Sequence, residues 1–191
     1  MSQTSAKLPR ALKGAEVCLW VAGLVAVGYC GFIEIRAWLA QAEGDHEIDT
    51  GAAKMPKVST GSIVGRLEIP RLGTSVVVFE GTDPGTLDLG AGHWRGSPLP
   101  GENGNVVVAA HRDTFFRSLR KIRDQDAVDV ATTEGTRHYL VESTQIVNPN
   151  DVAVLAPTAE PSLTLITCYP FEYFGHAPKR FIVRARLAEG R

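Results

Sequence analysis

The sequence predicts an all-β dominated domain, a sheet closed or nearly closed as a barrel with a few short helices, preceded by one apolar N-terminal helix. Short runs rich in β-branched residues recur after residue 60, and Gly, Pro, Asn and Asp separate them. Ahead of them lies a single uncharged apolar stretch. At 191 residues the chain has room for one domain of common size, about 100 to 150 residues, plus an appendage. The formal net charge of -1 lacks the basic excess that would draw the chain to nucleic acid.

The apolar stretch spans residues 17–33 (VCLWVAGLVAVGYCGFI), with Lys7, Arg10 and Lys13 before it and Glu34 and Arg36 after it. That length reaches the lower end of the range for a membrane helix, and the basic cluster ahead of it favours a cytoplasmic N-terminus. The expected layout is a cytoplasmic segment at 1–16, a transmembrane anchor at 17–35 and a small, polar linker at 36–60, whose first turns can continue the helix. A cleaved signal peptide is the competing reading; the run is long for one, and AWLAQA at 37–42 is the nearest approach to a cleavage site. A buried helix of a soluble core is the third reading, and the charge asymmetry counts against it.

Candidate strands follow at 63–69 (IVGRLEI), 75–79 (SVVVF), 105–110 (NVVVAA), 127–131 (AVDVA), 138–147 (HYLVESTQIV), 163–167 (LTLIT) and 180–187 (RFIVRARL). PRLG, PGENG, TEGTR and NPND supply the turns. Thr82, Asp83 and Pro84 cap a short helix running to Leu89, and 115–122 forms another turn or two. In the last strand Arg180, Ile182, Arg184 and Arg186 share one face, a basic stripe. Lys179, Phe181, Val183, Ala185 and Leu187 share the other, which reads as core.

Cys18 and Cys30 lie in the apolar run, so Cys168 is the one cysteine left and no disulfide framework can form in the remainder. Cys168 directly follows an apolar strand, where a side chain reaches a rim and a thiol can react; the alternative is a small core residue. His111 stands in the same situation after VVVAA, and two strands ending at one rim would bring the pair together. The alternative for His111 is a rim histidine satisfied by Asp113 or backbone. His93, in GAGHW, is a loop residue that binds substrate or decorates a turn; His138 is structural; His176, near Cys168 in sequence, is the runner-up for proton transfer.

TLITC at 164–168, AHRDTFF at 110–116 and KRFIVRA at 179–185 resemble the three signature segments of sortases. The TC-Y-P-F continuation and the APKRFIVRA strand are similar to class D members. The resemblance covers 61–191 and implies a catalytic domain there, a closed barrel of about eight strands, and a cysteine transpeptidase. It makes Cys168 the nucleophile, His111 its proton partner and Arg180 the residue that stabilises substrate charge, with Thr167 and His93 as further substrate-binding residues. It implies cleavage of an LPxTG-like sorting signal through a thioester. The acyl group then passes to an amine from a cell-wall precursor or another protein. No cofactor is expected, and no metal, because the acidic cluster that binds calcium in some class A members has no counterpart here. The competing class is a membrane-tethered β-domain that binds envelope peptides without chemistry. Thiol-disulfide exchange lacks its C-x-x-C, and the cysteine motif of L,D-transpeptidases is not found.

Overall fold

The computed structural model describes residues 10–50 and 60–188, with side chains at 16–42 and 60–188. The expected cytoplasmic segment at 1–16 and the linker at 36–60 therefore fall partly outside the described residues. Helix α1 (Arg10–Thr50) is continuous, so the first part of the expected linker is helical. Its apolar section, Glu16–Ala42, comprises 27 residues with a mean hydropathy of 1.9. At about 1.5 Å per residue it is about 40 Å long, enough to cross the ~30 Å hydrocarbon core of a bilayer. Leu19, Trp20, Leu24, Val25 and Val27 are exposed, so the section is apolar all round, the pattern of a lipid-facing helix.

The second compact unit, from Ala37 onward, is a closed barrel. Its strands are β1 (Ile63–Ile69), β2 (Thr74–Glu80), β3 (Ala91–His93), β4 (Asn105–Ala109), β5 (Ala127–Thr132), β6 (Gly135–Val147), β7 (Ser162–Tyr169) and β8 (Lys179–Leu187). They close in the order β1-β2-β3-β4-β7-β8-β6-β5. Closure leaves no open sheet edge to recruit another chain. Two neighbour pairs, β2–β3 and β4–β7, are parallel, and the others are antiparallel. The seven strand runs read from the sequence all appear; β3 is the addition. Its Gly92 packs so close to β2 that a Cβ would stand 2.2 Å from the Gly81 carbonyl oxygen, which is why a glycine-rich stretch forms this strand.

Alternation sorts the barrel walls. Val106, Val108 and Ala110, with Leu163 and Leu165 of β7 and Val183 and Ala185 of β8, point into the core. The intervening residues point outward. Part of that outer face is covered by 148–161: buried Asn105 donates to the carbonyls of Val154 (3.1 Å) and Ala156 (3.2 Å), and the Thr164 hydroxyl donates to Asn105 Oδ1 at 2.6 Å. Ile182 is buried there too, so the outward face of β8 is not simply a solvated basic stripe. Arg184, on the same face, donates to Val154 O.

Short helical pieces fill the corners. Helix α2 (Pro84–Leu89) begins at Asp83, whose carboxylate accepts from the Thr86 amide and hydroxyl. A 3-10 turn, Arg117–Lys121, replaces the helix expected at 115–122. Beside that turn, whose Lys121 carbonyl accepts from Arg71, buried Asp126 accepts from Arg71 Nε and Nη2 and from the Arg123 amide. The Arg71 guanidinium holds the Asp126 carboxyl below its ordinary range, with the Arg123 amide acting in the same direction and burial opposing both.

A carboxyl depressed in the folded state contributes stability that is present above its unfolded value of about 4 and is lost as pH falls through the folded one. Asp126→Asn is expected to cost about 2 kcal/mol at neutral pH. In urea titrations at pH 7 and pH 3 the wild-type advantage over the variant should shrink at the lower pH; an equal gap at both would refute this account.

Candidate active site

Register brings the three signature segments to one place. Strands β4 and β7 run parallel with Ala109 beside Ile166. The amide of Ala110 continues the ladder to the Ile166 carbonyl at 3.2 Å. Two residues beyond each of that pair stand His111 and Cys168, both on the outward-pointing parity. On the other side of β7, Cys168 is the direct antiparallel partner of Arg180. Directly opposed residues have their Cβ atoms about 4.5 to 5.5 Å apart on the same face. Three adjacent strands thus deliver a thiol, an imidazole and a guanidinium to one rim, just past the surface that 148–161 covers.

A cleft of about 290 Å³ opens there, lined by His111, Arg112, Asp113, Cys168, Gly175, His176, Ala177 and Arg180. The Cys168 thiol is half-buried. Arg180 Nη1 donates to the carbonyls of Ala177 (3.3 Å) and Lys179 (3.0 Å), which curls the side chain back over the end of β8. One wall is the 170–178 loop. Its base packs on the aromatic cluster of Tyr169, Phe171 and Phe181, with ring centroids 5.3 to 6.3 Å apart. Its far end is tied down by Arg112, whose Nη2 donates to the carbonyls of Tyr173 and Gly175 while the guanidinium lies 5.9 Å from the Tyr173 ring centroid. The sequence put His176 in this loop as a runner-up for proton transfer, and it does line the cleft.

His111 is backbone-anchored on both sides: its carbonyl accepts from the Phe116 amide, and the preceding Ala110 carbonyl accepts from the Thr167 hydroxyl at 2.7 Å. Its imidazole is half-exposed and has Asp88 Oδ1 at 3.5 Å from Nε2, a neighbour other than the Asp113 named in the alternative reading. Asp88, on α2, carried no signal in the sequence, because nothing in a six-residue helix marks which side chain faces a distant strand end. Arg112 was visible as part of a motif, but its hold on the 170–178 loop was not.

Thr167 and His93 were expected to touch substrate, and neither lines the cleft. Thr167 shares the inward parity of Leu163 and Leu165, is 2% exposed, and spends its hydroxyl proton on Ala110 O. Its side chain is on the opposite face of β7 from the thiol, and it ties the two strand ends together. His93 is also 2% exposed. Parallel pairing of β2 and β3 sets it beside Glu80, with Nδ1 2.6 Å from Glu80 Oε2. Its Nε2 donates to Pro98 O at 2.9 Å. Both ring nitrogens are therefore consumed in fastening the 93–98 turn to the barrel. His138, read as structural, pairs across strands with Asp129 at 2.7 Å.

A closed barrel that mounts cysteine, histidine and arginine at the ends of three neighbouring strands has the layout of a sortase domain, and comparison with known proteins agrees. The sortase domain family model matches residues 67–188. Sortase D of Bacillus subtilis (strain 168) is 35% identical over 181 residues, covering 85% of this chain and 91% of that protein. Sortase A of Listeria monocytogenes is 30% identical over 142 residues, covering 72% of this chain and 60% of that protein. A sortase D5 transpeptidase of Clostridium perfringens superposes with a TM-score of 0.69 over 81% of this chain and 99% of its own, at 23% identity, and so supports the fold. The chain belongs to the sortase family and is a transpeptidase, with the class D likeness that its motifs carry.

The role of Thr167 is separable from substrate contact. Thr167→Val keeps the shape and removes the hydroxyl, leaving the Ala110 carbonyl without that donor; unfolding free energy should fall by about 1 kcal/mol. Equilibrium denaturation of the variant tests this. Unchanged stability together with weakened peptide binding would assign the hydroxyl to substrate instead.

Proposed function

We propose that this protein is a membrane-anchored cysteine transpeptidase that cleaves an LPxTG-like sorting signal and transfers the secreted protein to an envelope amine. The observation that carries the reading is the shared rim of Cys168, His111 and Arg180, fixed by backbone register on both sides of β7.

The chemistry follows from those groups. The Cys168 thiolate attacks the carbonyl carbon of the scissile peptide bond, forming the S–C bond. Arg180, directly opposite, stabilises the negative charge that develops on the carbonyl oxygen. As the C–N bond breaks, the His111 imidazolium gives its proton to the leaving amine, and a thioester remains on Cys168. An incoming amine reverses the sequence: its nitrogen bonds the carbonyl carbon, sulfur leaves as thiolate, and the amine proton returns to His111. The acceptor amine belongs to a cell-wall precursor or to another protein.

The layout fits a tethered enzyme. Residues 1–16 form the cytoplasmic N-terminus, 17–35 the single-pass anchor, 36–60 the connection and 61–191 the catalytic domain outside the cytoplasm. The length and all-round apolarity of Glu16–Ala42 support the anchor, and Lys7, Arg10 and Lys13 ahead of it support the orientation.

Intact-mass spectrometry of the full chain incubated with LPxTG-like peptides tests the path. The expected result is an acyl adduct on the wild type, absent from Cys168→Ala, and a ligated product once an amine is added. Cleavage that continues undiminished in Cys168→Ala would overturn the assignment, and a product that is only ever hydrolysed would restrict it to a hydrolase. Arg180→Lys, which loses the planar fork, should lower kcat about 100-fold; turnover at the wild-type level would remove Arg180 from the mechanism.

A further inference from the structure

We propose that Asp88 is a positioning residue for His111: it keeps a proton on Nε2 and leaves Nδ1 as the nitrogen that exchanges protons with the substrate amines. The proposal rests on the reading of Cys168 and His111 as the reacting pair.

The backbone of His111 is fixed by three hydrogen bonds, from Ala110 N to Ile166 O, from Thr167 Oγ1 to Ala110 O and from Phe116 N to His111 O. The ring has no comparable restraint. It is half-exposed, with two free torsions, and among the described residues Asp88 is the one group recorded within ion-pair distance. The other groups facing the cleft are Arg112 and Asp113 from its own turn, Cys168 and Arg180 from the neighbouring strands, and His176 from the 170–178 loop. Arg112 is engaged by the Tyr173 and Gly175 carbonyls.

Asp88 is presented by a braced element. At the start of α2, Asp83 accepts from the Thr86 amide at 3.1 Å and the Thr86 hydroxyl at 2.7 Å. At its end, Gly90 N donates to Thr86 O, and Gln41 Nε2 donates to Leu89 O at 2.6 Å while Gln41 Oε1 accepts from Val77 N at 2.7 Å. The residue next to Asp88 is thus stapled to β2.

A carboxylate only accepts, so the imidazole nitrogen that faces it carries the proton. At 3.5 Å the pair is an electrostatic contact longer than a hydrogen bond, as catalytic contacts are before substrate closes on them. With Nε2 facing Asp88, only Nδ1 remains for the reaction. When the scissile C–N bond breaks and the S–C bond stands, the Nδ1 proton passes to the leaving nitrogen. When the acceptor amine attacks and the S–C bond breaks, its proton comes back to Nδ1.

The test uses the full chain in detergent with two independent readouts. Nitrogen-15 spectra of the His111 ring, assigned through His111→Gln, should show the Nε2–H tautomer of the neutral ring in the wild type and a mixture in Asp88→Ala. Peptide cleavage should lose about three- to fivefold in kcat in Asp88→Asn and Asp88→Ala, the size an exposed ion pair supplies, with KM within about twofold, and Asp88→Glu should regain part of it. A tautomer unaltered by Asp88→Ala, or full kcat in both neutral variants, overturns the proposal; so does a loss that Glu does not repair and that follows a fall in melting temperature. If the tautomer shifts as expected while Cys168→Ala cleaves as well as wild type, the positioning role of Asp88 stands and the transpeptidase path through Cys168 is what fails.

Discussion

The structure depends on the way β7 is hemmed between a parallel neighbour and an antiparallel one. Parallel pairing with β4 makes both strands end at the same rim, and because Ala109 lies beside Ile166, the residues two further on arrive side by side. Antiparallel pairing with β8 makes Arg180 the opposite number of Cys168. Backbone hydrogen bonds set both relations, so no side-chain contact has to hold the three groups together. A slip of one residue in either ladder would turn the thiol away from a partner onto the opposite face of the wall.

Barrel closure protects that register. With each strand flanked on both sides, no ladder can shift without moving its neighbours, and the interior is filled by apolar side chains such as Leu67, Val108, Leu165 and Val183. Polar clamps fasten the irregular pieces to the wall: Asn105 holds the 148–161 segment, Glu80 and His93 hold the 93–98 turn, and Asp126 holds Arg71. Each is largely buried and fully engaged, which is the condition under which a buried polar group stabilises a fold. Thr167 belongs to the same set, although it lies next to Cys168 in sequence.

The cleft joins this rigid rim to parts held less firmly. Cys168, His111 and Arg180 hang from strand ends, whereas the wall at 170–178 is a loop resting on an aromatic base and fastened by Arg112. Tyr173 and Phe174 are exposed on that loop. The membrane-compatible helix and the catalytic barrel answer different solvents: one exposes apolar side chains all round, the other hides them.

Much of this was legible in the sequence. β-Branched runs and turn residues marked seven of the eight strands nearly to their ends, because strand formation there follows local preference and alternation. Asp83 and Pro84 marked α2 for the same local reason. Strand β3 was hidden because Gly92 serves a close backbone approach and shows no alternation. Cys168, His111 and Arg180 could be picked out as residues following or opening strands in three familiar segments. Their proximity could not be derived, since it depends on which strands pair and in which direction, and local sequence does not encode that. Thr167 and His93 differ in kind: alternation along β7 already sends Thr167 to the face opposite Cys168, whereas a place among glycines says nothing about what His93 touches. Sequence by itself determined the elements, the apolar helix and the reactive residue types, all of which depend on neighbours within a few positions. Tertiary structure alone decided that Asp88 meets His111, that Arg112 ties the loop, and that Thr167 and His93 are fasteners, because each is a contact between segments that only the closed barrel brings together.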